Sequence, residues 1–110
     1  MTGAADDQVV LVVIQRVDPE RHDEARAALT RMVEAVHEQD DGCHLYALHA
    51  VAGDPSRLVM VERWASQAAL DAHAGKPHVA ALADVEAFDG PPELIVLEPL
   101  GIGDPAKGAL

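Results

Sequence analysis

Residues Leu58 to Leu82 read LVMVERWASQAALDAHAGKPHVAAL, and the way this stretch divides decides the fold. Leu58 to Trp64 is short, apolar and rich in β-branched residues, which predicts a strand. Successive strand side chains point to opposite faces, so Met60, Glu62 and Trp64 share one face and Val59, Val61 and Arg63 the other. Ser66 is a good N-cap for the helix-forming run QAALDAHA. Gly75 stops that run, and Pro77 suits the first position of a second short helix, where its missing N–H costs nothing. The pattern is strand, helix, break, helix. It draws a carboxylate (Glu62), the only tryptophan (Trp64) and two histidines (His73 and His78) into one short stretch.

Working outward, Val9 to Val17 is a strand whose first six residues are apolar on both faces, which predicts a central position in a sheet. Asp18-Pro19-Glu20 has the form of a helix start: an N-cap, a proline at the first helical position and an acid near the positive helix end. From Glu20 to about Gln39, Ala25, Leu29, Met32 and Val36 form a core-facing stripe, and His22 and His37 are expected in solvent. Gly42 ends the helical region. Cys43 to Ala52 is a second strand, on which alternation puts Tyr46 with His44 and Cys43 with His49. Residues 52 to 57, AGDPSR, are expected as the turn of a hairpin with the Leu58 strand. The last strand runs from Glu93 to Glu98.

The order βαββαβ predicts a ferredoxin-like α+β fold with an antiparallel sheet over residues 8–102. Tails are expected at 1–7, disordered, and 103–110, flexible. Helices cover one face of such a sheet. Val10, Val12 and Ile14 make the other face apolar as well, which predicts cover by a second copy in a homodimeric two-sheet barrel.

The 110 residues carry a net charge of −11, from 19 acidic and 8 basic side chains. That argues against nucleic acid and anionic membrane surfaces as partners. The longest apolar run, Val9 to Ile14, is too short to span a membrane. A single cysteine, Cys43, fits a reducing compartment, and the acidic N-terminus MTGAADDQ has no apolar signal region, so a cytoplasmic location is expected.

Each candidate site residue has a plain structural reading beside the functional one. Trp64 is either a core residue or a flat wall for an aromatic ligand, with Met60, Tyr46 and Leu70 near it. Glu62, mid-strand among apolar neighbours, is either paired with an arginine such as Arg16 or Arg57, or is a pocket acid or base with a raised pKa. His73 and His78 are capping or surface residues, or a pair of proton acceptors brought together by the break at Gly75-Lys76-Pro77. Gln15 reaches a pocket mouth or water. No HExxH, CxxC, glycine-rich nucleotide loop or GxSxG occurs, so the motifs supply no metal, nucleotide or serine-hydrolase site.

Glu62 to Trp64 (ExW), the helix ending at His73, Lys76 to His78 (KPH), Gly42 to Tyr46 (GCHLY) and Glu98 to Ile102 (EPLGI), in this order over residues 8 to 102, resemble the antibiotic-biosynthesis-monooxygenase (ABM) family, in its quinol-monooxygenase-like branch. The resemblance implies a dimeric α/β barrel and a cofactor-free oxidation of a hydroquinone or similar polyphenol by O2. It implies His73, His78 and Glu62 as catalytic groups, with Trp64, Met60, Tyr46, Gln15 and Leu70 around the substrate. Haem-degrading members carry Asn, Trp and His where this chain has Gln15, His73 and Ala83. Anthrone-oxidising members carry Asn and Tyr where it has Met60 and Leu70. The rival expectations are a non-catalytic small-molecule-binding or stress-response module, and an isomerase of a small phosphorylated signal molecule on the same fold.

Overall fold

A computed structural model of the chain describes residues 7–110. The tail expected at 1–7 therefore falls outside the described residues, apart from Asp7. The elements are β1 (Val9–Arg16), a 3-10 turn (Pro19–Arg21), α1 (His22–Gln39), β2 (Cys43–Val51), β3 (Asp54–Trp64), α2 (Gln67–Ala74), α3 (Pro77–Ala80), a 3-10 turn (Ala81–Asp84) and β4 (Glu93–Leu97). The four strands form one antiparallel sheet in the order β2-β3-β1-β4, which is the ferredoxin-like α+β arrangement expected from the sequence. No helix of the described residues is long and apolar enough to cross a membrane.

Strand register decides which side chains meet the helices. Leu11 stands opposite Glu62, which stands opposite Tyr46; Val13, Met60 and Leu48 form the next row, and Gln15, Leu58 and Ala50 the one beyond. These rows face α1, whose Ala25, Leu29, Met32 and Val36 are all buried against the sheet as their helical spacing requires. Leu11, Leu58, Trp64, Val17 and Val36 are the largest fully buried side chains and mark the centre of the core.

Three local expectations shift. The hairpin turn contracts from residues 52–57 to Ala52-Gly53, with Gly53 at φ +75°, and β3 begins at Asp54. Asp54 is responsible: its Oδ1 accepts from the Ser56 N–H at 2.9 Å and from Ser56 Oγ, and its Oδ2 accepts from Arg57 Nε at 2.8 Å. Pro55 is tolerated because the ladder is irregular there, between Ala50 and Val51. Asp18 does cap and Pro19 does follow, but they start the 3-10 turn, and α1 proper begins at His22. In β2 a bulge between Cys43 and Leu45 moves Cys43 onto the face of Tyr46, where alternation had placed His44.

The second face of the sheet is apolar and incompletely covered. Val12, Ile14, Val59 and Val61 are half-buried on it, and Ile95 and Leu97 are each 39% exposed. All five residues of β4 are exposed. Near one end of this face Arg63 Nη1 donates to the Leu110 carbonyl at 2.5 Å.

Gly42 is where β2 passes closest to α2. Its carbonyl accepts from the Ala65 N–H at 2.8 Å, and a Cβ added to it would collide with Ala69 Cβ. Gly42→Ala is expected to destabilise the fold by about 1–3 kcal/mol through overpacking, read as a drop in the thermal midpoint. Adding Ala69→Gly should recover most of the loss. A single variant as stable as the parent would contradict the close approach.

Candidate active site

Three elements converge at the C-terminal end of α1. Asp40 caps that helix in extended conformation (φ −99°, ψ 93°), its N–H still donating to the Val36 carbonyl at 3.0 Å. Its carboxylate turns inward and is almost fully buried, with 2% of the side chain exposed. His73, in the last turn of α2, places Nδ1 2.7 Å from Asp40 Oδ2. His78, in α3, places Nε2 3.1 Å from the same oxygen. In one unbroken helix, residues five apart would point about 140° away from each other. The break at Gly75-Lys76, where the Lys76 N–H donates to the His73 carbonyl at 3.0 Å, lets both rings face the same carboxylate. Lys76 Nζ lies 3.9 Å from Asp40 Oδ1, an oxygen that is buried and has no hydrogen-bond partner among the described residues.

The charge balance sets the proton positions. Burial pushes the Asp40 carboxyl up, but hydrogen bonds from His73 and then His78 outweigh it, and the net direction is down. Asp40 is therefore an acceptor, and both imidazoles donate to it. In the neutral rings Nε2 of His73 and Nδ1 of His78 are then the nitrogens with a lone pair, and neither has a partner among the described residues. Burial lowers the pKa of His73, with the bond to Asp40 opposing it.

A second carboxylate behaves oppositely. Glu62 is buried at 4% exposure, and its Oε1 accepts from Trp64 Nε1 at 2.8 Å. Desolvation raises its pKa to about 7, against the pull of the indole bond. The arginine partner weighed for Glu62 is not used. Arg16 and Arg57 stand opposite each other at the far end of the β1–β3 ladder, and Arg57 is bound to Asp54. Burial, followed by the nearby Glu62, pushes the Tyr46 phenol well above its ordinary value; its hydroxyl donates to Met32 Sδ at 3.7 Å. Trp64 and His73 pack against each other with centroids 4.5 Å apart and planes tilted by 35°, and Tyr46 meets His73 edge-on at 5.3 Å.

The structure thus joins His73 and His78, and sets Trp64, Tyr46 and Glu62 directly behind His73. Trp64 and Met60 are packed in the core, so the flat wall expected at Trp64 faces no open slot beside Met60. Gln15 reaches neither pocket nor water: its Nε2 donates to the carbonyls of Arg16 and Gly90, tying the 89–92 loop to β1. Leu70 is half-buried at the edge of the core. His37, expected in solvent, is exposed but places Nε2 2.9 Å from the Tyr46 carbonyl, and His22 places Nδ1 2.8 Å from the Pro55 carbonyl. Asp40 was not among the sequence candidates. Asp40 and Asp41 are adjacent in a helix-ending DDG, and nothing in the sequence distinguishes the buried one from the exposed one.

Two small clefts reach the cluster. One of about 170 Å³ is bordered by Asp40, Asp41, His73 and Lys76. The other, about 160 Å³, is bordered by Ala28, Arg31, Met32, His78, Leu82 and Val85. A larger groove of about 660 Å³ between α1 and β2, with Arg26, His37, Cys43 and Leu48 on its walls, includes neither His73 nor His78. Among the described residues, Asp40, His73 and His78 are the group whose potential metal-ligand atoms converge, within 4.8 Å. Both imidazoles, however, contact one carboxylate oxygen at hydrogen-bond distances. Ligands around a tetrahedral ion with bonds of about 2.1 Å stand about 3.4 Å apart. The arrangement is a hydrogen-bonded one.

The raised Glu62 pKa has a sign that can be checked. The folded state binds the proton more tightly than the unfolded chain, so the contribution to stability is full below about pH 4.5. It is lost as pH rises to about 7, and the difference reaches roughly 3 kcal/mol. Glu62→Gln keeps an acceptor for Trp64 without the charge. Denaturant midpoints measured from acid to mildly alkaline pH should show the variant gaining on the parent as pH rises through this window. A constant difference across the range would refute the assignment.

The family profile described as "Antibiotic biosynthesis monooxygenase" matches residues 8–85. Rv0793 of Mycobacterium tuberculosis, which carries a provisional name as a monooxygenase, is 39% identical over 71 residues, covering 62% of this chain and 67% of that protein. Its solved structure superposes with a TM-score of 0.76 at 33% identity, over 88% of this chain and 99% of that one. A crystal structure from Bacteroides thetaiotaomicron, provisionally named an antibiotic biosynthesis monooxygenase, gives a TM-score of 0.79 at 26% identity over 87% and 92% of the two chains. The fold, the profile match over most of the domain and the mycobacterial relative agree, and the chain belongs to the antibiotic biosynthesis monooxygenase family.

Proposed function

We propose that this protein is a cofactor-independent monooxygenase that oxidises a hydroquinone-type phenol with O2. The observation that carries the reading is the Asp40 carboxylate shared by two imidazoles, each left with an unpartnered nitrogen. Holding one nitrogen of a histidine on a carboxylate orients the ring and stabilises the imidazolium that forms when the other nitrogen takes a proton. The proton comes from a substrate hydroxyl. The resulting electron-rich phenolate gives one electron to O2, the superoxide and phenoxyl radical combine at ring carbon, and loss of water leaves a hydroxylated quinone. Hydroquinone and O2 thus yield hydroxyquinone and water, with all four electrons supplied by the substrate. Trp64, packed against His73, serves as a positioning residue, and Glu62, bound to the indole, holds Trp64 in place.

In this reading the enzyme works as a homodimer. Ile95 and Leu97, together with half-buried Val12, Ile14, Val59 and Val61, are the apolar surface that a second copy would cover. Light scattering on a sizing column should give twice the chain mass at micromolar concentration. A monomeric mass would end the dimer reading.

Oxygen uptake with a quinol panel tests the chemistry. His73→Gln and His78→Gln should each reduce turnover, and Asp40→Asn should lower kcat by at least about a hundredfold. Turnover unaffected by both histidine variants would remove them as bases. The rival reading, a binding module, draws on the larger groove of about 660 Å³ between α1 and β2, which includes neither His73 nor His78. It predicts thermal stabilisation by aromatic ligands with no oxygen consumed.

A further inference from the structure

We propose that the cleft beside His78 is a subsite for a single-ring hydroxyarene bearing an anionic substituent, with Arg31 binding the anion and His78 receiving the ring hydroxyl. This inference rests on the reading of the histidines as proton acceptors and goes on to name the substrate class.

Size is the first argument. The cleft is about 160 Å³, well below the roughly 300–1,000 Å³ of pockets that hold drug-sized ligands. That volume matches a single ring. The second argument is the lining. Ala28, Met32, Leu82 and Val85 form apolar walls suited to a ring, with His78 and Arg31 as the polar groups among them. The third is charge. Arg31, like Arg16, Arg26, Arg63 and Lys107, makes no ion pair among the described residues, and it is the one of these that borders this cleft. In a chain of net charge −11, a guanidinium without an ion pair beside an apolar cleft can hold a carboxylate, because its planar fork matches the two oxygens. The cleft beside His73 is the poorer host: Asp40 and Asp41 border it, and its one cation, Lys76, already lies toward Asp40. With the anion on Arg31, the hydroxyl proton passes to His78 Nδ1 while Nε2–H stays on Asp40.

The test compares dihydroxybenzoate with hydroquinone on the full chain and on Arg31→Gln and Arg31→Lys. Calorimetric affinity and oxygen uptake are read separately. Arg31→Gln should weaken dihydroxybenzoate binding by about tenfold, as expected for a partly solvated charge-assisted contact, leave hydroquinone binding unchanged, and be partly rescued by Arg31→Lys. Equal weakening for both ligands, or no weakening for either, overturns the subsite. The two readings fail separately. Arg31-dependent binding without oxygen uptake keeps the subsite and removes the oxidation. Uptake of both quinols at rates indifferent to Arg31 keeps the oxidation and removes the subsite.

Discussion

A buried carboxylate cannot stay ionised without compensation, and Asp40 is the group on which this site turns. Taking a bare carboxylate out of water costs far more than a small domain can spare. Here the cost is offset by two imidazole N–H bonds to one oxygen and by an ammonium 3.9 Å from the other. The arrangement explains the local architecture around it. The helix α1 must stop at Asp40 for the side chain to turn inward, and the helical text after β3 must break for two rings to meet it. Gly42 must lack a side chain for α2 to sit close enough. Each irregularity in the chain near this point serves the same contact.

The protein holds two buried carboxyl groups in opposite electrostatic states. Asp40, surrounded by donors, is held below its ordinary pKa, while Glu62, with a single neutral indole donor, is pushed up to about 7. The divergence follows from the number of donors each buried acid finds, since desolvation acts on both. Between them stand Trp64 and His73, packed with centroids 4.5 Å apart and planes tilted by 35°, so the imidazole has a nitrogen on a charge and an indole against its side. Such a ring has little freedom to rotate, which suits a base that must present one defined nitrogen.

The two faces of the sheet have different fates. The helix-covered face is filled by the α1 stripe and by the row of Tyr46, Glu62 and Leu11. The opposite face keeps half-buried valines and the side chains of Ile95 and Leu97 in contact with solvent, while Leu94 and Val96 of the edge strand β4 are exposed on the helix side. The one long helix, α1, and the short α2 and α3 all pack on the first side, which leaves the chain no element to lay over the second.

Much of this was legible in the sequence because it depends on short-range rules. The alternation in Leu58–Trp64, the 3.6-residue stripe from Ala25 to Val36 and the Ser66 cap each reflect chemistry between near neighbours, and each is present in the fold. The break at Gly75-Lys76-Pro77 was legible too, and with it the chance of joining His73 to His78. Three things were not. Asp40 lies 33 residues before His73, and only the packing of α2 against the start of β2 brings them together. The partner of Glu62 depended on strand register, which set Arg16 and Arg57 at the far end of the ladder and left the indole two residues away as the nearest donor. The closure of the Trp64–Met60 slot depended on how well α1 and His73 fill the space above the sheet, a matter of volume in three dimensions. The sequence by itself determined which side chains face inward, since periodicity along a strand or helix is a local property. Only the tertiary structure decided which buried groups share protons, because that turns on distances of about 3 Å between residues far apart in the chain.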